Sequence, residues 1–83
     1  MVRIFVNRLK KQLRERIQGE IYVHVDDDTL IVDVIVNATQ VWRYTISNLS
    51  LKLLTNLTSE IVTDIIVERY KKYIFERYFT NKL

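Results

Sequence analysis

Residues 20–36 read "EIYVHVDDDTLIVDVIV", and two strands and their turn can be read straight from it. Ile21, Val23 and Val25 alternate with Glu20, Tyr22 and His24, the period-two pattern of a half-buried strand over 20–26. Residues 29–36 follow with Leu30, Val32, Val34 and Val36 on one face and are rich in β-branched side chains. A two-residue turn at Asp27-Asp28 sets Val25 against Leu30, Val23 against Val32 and Ile21 against Val34. A slip of one residue would turn every apolar side chain to the wrong face, so this register is strongly specified.

Outward from that hairpin, residues 41–46 form a third strand with Trp42, Tyr44 and Ile46 on one face. A three-residue loop at Ala38-Thr39-Gln40 pairs Val36 with Trp42 and Val34 with Tyr44. A two-residue loop would set Arg43 against Val34 on the core face, so three residues are expected. The expected product is a three-stranded antiparallel meander.

Before the meander, residues 3–18 read as an amphipathic helix. Phe5, Val6, Leu9, Leu13 and Ile17 fall within an arc of about 120°, with Ile4 off the stripe. Gly19 then suits a helix stop, because glycine enters the left-handed region without a Cβ clash. After the meander, residues 48–55 resemble a short helix capped by Asn48 or Ser50. Thr58 or Ser59 caps a final helix that runs to about Phe79, with Glu60 in its first turn and Glu68 and Lys72 spaced as an i,i+4 ion pair. In that helix Val62, Ile65, Ile66, Val67, Tyr70, Tyr73, Ile74 and Tyr78 spread over about 220°, wider than one packed face requires. Ile61, Phe75 and Phe79 lie on the other side with Asp64, Glu68 and Lys72. The architecture expected is one α+β domain over residues 1–83, in the order α-β-β-β-α-α, with helices covering one face of the meander.

Composition narrows the chemistry. The 83 residues hold one glycine, no proline and no cysteine. No disulfide or thiolate metal site can form, and the Gly-rich phosphate-binding loops are excluded. Core packing alone must stabilise a domain that buries roughly 60–65% of its unfolded surface. No apolar run approaches the roughly 20 residues that span a bilayer. Charges occupy the place where a signal peptide would need its apolar stretch, so a cytoplasmic protein is expected, with no membrane association. The sequons at Asn37, Asn48 and Asn56 then read as ordinary loop composition.

The net charge of +3 is unevenly spread. Residues 1–18 hold six basic side chains and one acidic, residues 19–48 one and five, and residues 49–83 six and four.

Four candidate surfaces follow. The first is the outer sheet face, where His24, Asp26 and Asp33 come together. That spacing matches no metal-ligand motif, so Asp26, Asp27 and Asp28 read as a turn and as an acidic partner contact. No metal, cofactor or catalytic group is expected there. Tyr22, Ile31 and Ile35 share the same face and extend it as a second docking surface.

The second is the basic face of the first helix. Arg8, Lys10, Lys11 and Arg14 suit phosphate contacts, and nucleic-acid binding is the alternative function. The stripe carries a single aromatic, which makes a lipid surface a poorer match. Third is the final helix, where Phe75, Phe79, Arg69 and Arg77 are the candidate partner-binding residues, either for a different protein or for a homodimer. The fourth would be an enzyme pocket, which the open face of a three-stranded sheet does not offer.

The run "YVHVDDDTLIVDVIV…WRYTISNLS…LTSEIVTDIIVERYKKYIFERYF" resembles small proteins of unknown activity encoded by phages and prophages of Gram-positive bacteria. The resemblance rests on the Asp-rich turn, the "NLS" after the third strand and the ending "VERYKKYIFERYF". It implies a phage accessory protein. The helix–meander–helices order is also similar to some small phage inhibitors of CRISPR nucleases, which are strongly acidic where this chain is basic. The function expected is a non-enzymatic protein-binding module acting stoichiometrically on a host or phage protein.

Overall fold

A computed structural model describes the backbone of residues 2–47 and 58–79 and the side chains of 3–47 and 58–78. Among the described residues five elements follow one another: α1 (Val2–Arg16), β1 (Glu20–Asp26), β2 (Thr29–Asn37), β3 (Gln40–Ile46) and α2 (Ser59–Phe79). The order is α-β-β-β-α, an α+β fold. The short helix expected over 48–55 lies outside the described residues.

α1 ends at Arg16, two residues before the expected limit, although the Ile17 amide still donates to the Leu13 carbonyl at 2.8 Å. Gly19 then turns the chain into β1 with φ of 126°. The dihedral favours glycine, and a Cβ at this position would stand 3.3 Å from the Ile35 carbonyl oxygen, a tight contact from which that neighbour would have to shift by a few tenths of an ångström.

The sheet is antiparallel with strand order β1-β2-β3. The first hairpin has the expected register: Val25 opposes Leu30, Val23 opposes Val32 and Ile21 opposes Val34. Its turn residues have positive φ, 48° at Asp27 and 67° at Asp28. Positive φ at both central residues is the type I′ form of a two-residue turn, which matches the twist of the strands, and aspartate tolerates it better than most residues.

The second hairpin departs from expectation. Asn37 pairs with Gln40 across a two-residue turn, Ala38-Thr39, and the ladder then shifts between Ile35 and Asn37. This β-bulge absorbs one residue at Val36, so Val34 opposes Trp42 and Val32 opposes Tyr44. Arg43 meets Asp33 on the outer face, and the clash that favoured a three-residue loop does not arise. Asn37 stabilises the tight turn, its Oδ1 accepting from the Thr39 amide at 2.9 Å and the Thr39 hydroxyl at 3.0 Å.

α1 and α2 cover one face of the sheet. Phe5, Leu9, Leu13 and Ile17 of the α1 stripe, Ile21, Leu30, Val32, Val34 and Ile46 of the sheet, and Val62, Ile66 and Val67 of α2 form one buried cluster. Trp42 stacks on Tyr44 at 5.8 Å and meets Tyr70 edge-on at 5.3 Å, so β3 and α2 touch through aromatic rings. Thr58 caps α2, its hydroxyl accepting from the Ile61 amide at 3.3 Å. The hydroxyl of buried Thr63 donates back to the Ser59 carbonyl at 2.7 Å and lies 3.1 Å from Gln12 Oε1 of α1. Arg16 and Asp64 form an ion pair between the same two helices.

Candidate docking site on the C-terminal helix

At 100° per residue, the residues of α2 that face the core, Val62, Ile66, Val67 and Tyr70, centre on one side of the helix. Ile61, Ile65, Phe75 and the position of Phe79 fall within about 80° of arc on the opposite side, with Glu68 and Lys72 between them. The side chains are exposed accordingly: Ile61 by 45%, Ile65 by 38% and Phe75 by 59%. The helix is therefore apolar on two opposed faces, and among the described residues the buried core cluster is formed by only one of them. Ile65 and Tyr78 were expected on the core side, and both are exposed. The sheet and α1 are too narrow to wrap the whole 220° arc.

Two charged residues occupy the middle of the outer stripe. Glu68 and Lys72 are exposed, and the i,i+4 pair expected of them is not closed. Among the described residues, neither enters an ion pair.

The other partner-binding candidates do not join this stripe. Arg69 is exposed but stands about 120° around the helix from Phe75. Arg77 is half-buried and about 160° away, on the core side. The Phe79 side chain lies outside the described ones. Asp26, Asp27 and Asp28 are exposed at the tip of the first hairpin. Ile65, missed as a surface residue, carried a signal in its spacing: it follows Ile61 by four, one helical turn.

On the outer sheet face, Asp33 is held by Arg43, which donates from Nε to Oδ1 at 2.7 Å and from Nη2 to Oδ2 at 3.0 Å. This bidentate pair lowers the Asp33 carboxyl below its ordinary value, with smaller help from His24. An acid so engaged is no general base. The Tyr22 phenol donates to Glu20 at 2.7 Å, which raises the Tyr22 pKa. Among the described residues, no three potential metal ligands converge.

No protein-family model, curated protein or solved structure matches the chain. The reading of the surfaces therefore rests on their geometry.

The α1 cations are spread rather than gathered. Arg8, Lys11 and Arg14 are exposed and Lys10 is half-buried, with Arg8 and Lys10 about 160° apart around the helix. Between the helices, Gln12, Glu15, Arg16, Glu60, Thr63 and Asp64 line an open polar groove. Three of these six are carboxylates, and none is a cysteine or histidine. Among the described residues, no helix is long and apolar enough to cross a membrane.

Proposed function

We propose that this chain is a protein-binding module, of phage or prophage accessory type, that acts stoichiometrically on a protein partner in the cytoplasm. The observation that carries this reading is the outer stripe of α2. Ile61, Ile65 and Phe75 expose large apolar surface in a line on the side of the helix facing away from the core. Exposed apolar clusters of this kind often mark partner or self-association surfaces. The resemblance to phage-encoded proteins supports the same reading through its ending, "VERYKKYIFERYF", which contributes Phe75 and position 79 to the stripe.

Affinity capture with matched baits tests it. Proteins retained by the wild-type chain should be lost from Phe75→Glu and Ile65→Glu, both substituted at exposed positions that leave the core intact. Equal capture by all three baits would remove α2 as the docking site.

A second reading, nucleic-acid binding through α1, is favoured by one observation. Among the described residues, Arg3, Arg8, Lys10, Lys11 and Arg14 are in no ion pair. Phosphate binding there predicts mobility shifts that fall steeply with salt, by about one unit of log–log slope per phosphate contacted. Absence of any shift at low salt would end that reading.

A further inference from the structure

We propose that the outer stripe of α2 pairs with the same stripe of a second copy of this chain, antiparallel, about a two-fold axis at position 70. The inference rests on the reading of the stripe as a docking surface and names its occupant. Stripe positions 61, 65, 68, 72, 75 and 79 are spaced alternately by four and three. That is the seam of a helical pair, in which such a spacing keeps one line of side chains facing the neighbour. Here the seam stands apart from the residues that build the domain's own core, so a second helix can reach it without unfolding the first.

The order of residues along the seam selects the partner and its direction. Positions 61 and 79, 65 and 75, and 68 and 72 are each symmetric about 70. An antiparallel copy therefore sets Ile65 against Phe75 and Ile61 against position 79, apolar against apolar. At the centre it sets Glu68 against Lys72 of the other copy, twice, which gives two cross-chain ion pairs. A parallel copy would stack Glu68 on Glu68 and Lys72 on Lys72, and like charges facing one another are unfavourable. Both groups are exposed, and among the described residues neither is in an ion pair. The symmetry is the isologous kind that closes at two copies.

The pairing is weak by construction. One helix of 21 residues offers a small contact, and Arg69 and Lys71 on its shoulders leave the centre net positive. A Kd on the order of 10 µM to 1 mM is expected.

Sedimentation equilibrium from about 10 µM to about 1 mM tests the proposal. The wild type should show a monomer–dimer equilibrium. Glu68→Lys should weaken it at least about 10-fold, and Glu68→Lys/Lys72→Glu should restore it to within about 3-fold. Glu68→Lys/Lys71→Glu has the same net charge as the swapped pair but cannot rebuild the central layer, and it should stay weak. Circular dichroism confirms the fold of each variant. A wild type that is monomeric throughout overturns the proposal, and so does equal rescue by the two double variants. If the wild type is monomeric while Phe75→Glu still abolishes capture of another protein, self-pairing falls and the docking surface stands. If Phe75→Glu changes neither measurement, both fall.

Discussion

Asp33 shows how one side chain can look like chemistry and serve structure. Beside His24 on an open sheet face it has the composition of a small active site. The fold gives it Arg43 instead, and the side chain is 13% exposed while Arg43's is 60% exposed. The guanidinium holds the carboxyl below its ordinary value of 3.8. A carboxylate lowered in the folded state adds stability above its unfolded value and loses it as the pH falls through the folded one. Asp33→Asn should therefore be less stable than the wild type at neutral pH. The gap should narrow between about pH 5 and about pH 2, read as urea midpoints. A gap that stays constant over that range would show that the pair contributes nothing through ionisation. The Asp33–Asn37 stretch also shows what could not be read from sequence. Pairing of Asp33 with Arg43 requires the bulge at Val36, and a bulge leaves the alternation of the flanking residues unchanged, so it has no clear signature in one sequence.

At the scale of elements, the register of the first hairpin was legible because its alternation and its turn residues agree, although Val25, read as a core-face position, is exposed at the hairpin tip. Its turn nonetheless uses two non-glycine residues at positive φ. Asp28→Gly should stabilise the domain by about 0.5–1 kcal/mol, seen as a raised thermal midpoint; a lowered midpoint would show that Asp28 makes a contact worth more than its strain. α2 was legible as a helix and less so as a surface. Its cap and start follow from Thr58, Glu60 and the apolar period. Which of its apolar residues face inward depends on the width of what it lies on. Ile65 sits at the edge of both arcs, and only the placement of α1 and β3 settles that it points out. Of the α1 cations, Arg8, Lys11 and Arg14 are exposed and Lys10 is half-buried, and helical spacing already sets Arg8 and Lys10 on different sides of the helix.

At the scale of the molecule, two helices and a three-stranded sheet share one buried cluster among the described residues. Leu9, Leu13, Leu30, Val32, Val34, Val62 and Ile66 are fully buried together, so removing one side chain should weaken every element at once. Ile66→Ala should cost about 2–5 kcal/mol. Ile61→Ala, on the outer stripe, should cost within about 0.5 kcal/mol. Trp42 is the single tryptophan and touches Tyr70 and Tyr73 of α2. Its fluorescence therefore reports docking of α2 on the sheet, while far-ultraviolet dichroism reports the helices. Coincident transitions by both probes are expected in the wild type and in Ile66→Ala; separated transitions would mean that α2 docks as an independent unit. The sequence by itself determined the meander, the amphipathic α1, the glycine turn from α1 into β1 and the start of α2, because each follows from neighbours within one or two turns of chain. Tertiary structure decided the bulge at Val36, the capture of Asp33 by Arg43, and the division of α2 into a covered and an uncovered face. Those depend on contacts between residues distant in the chain, and local periodicity records which residues share a face without recording what covers it.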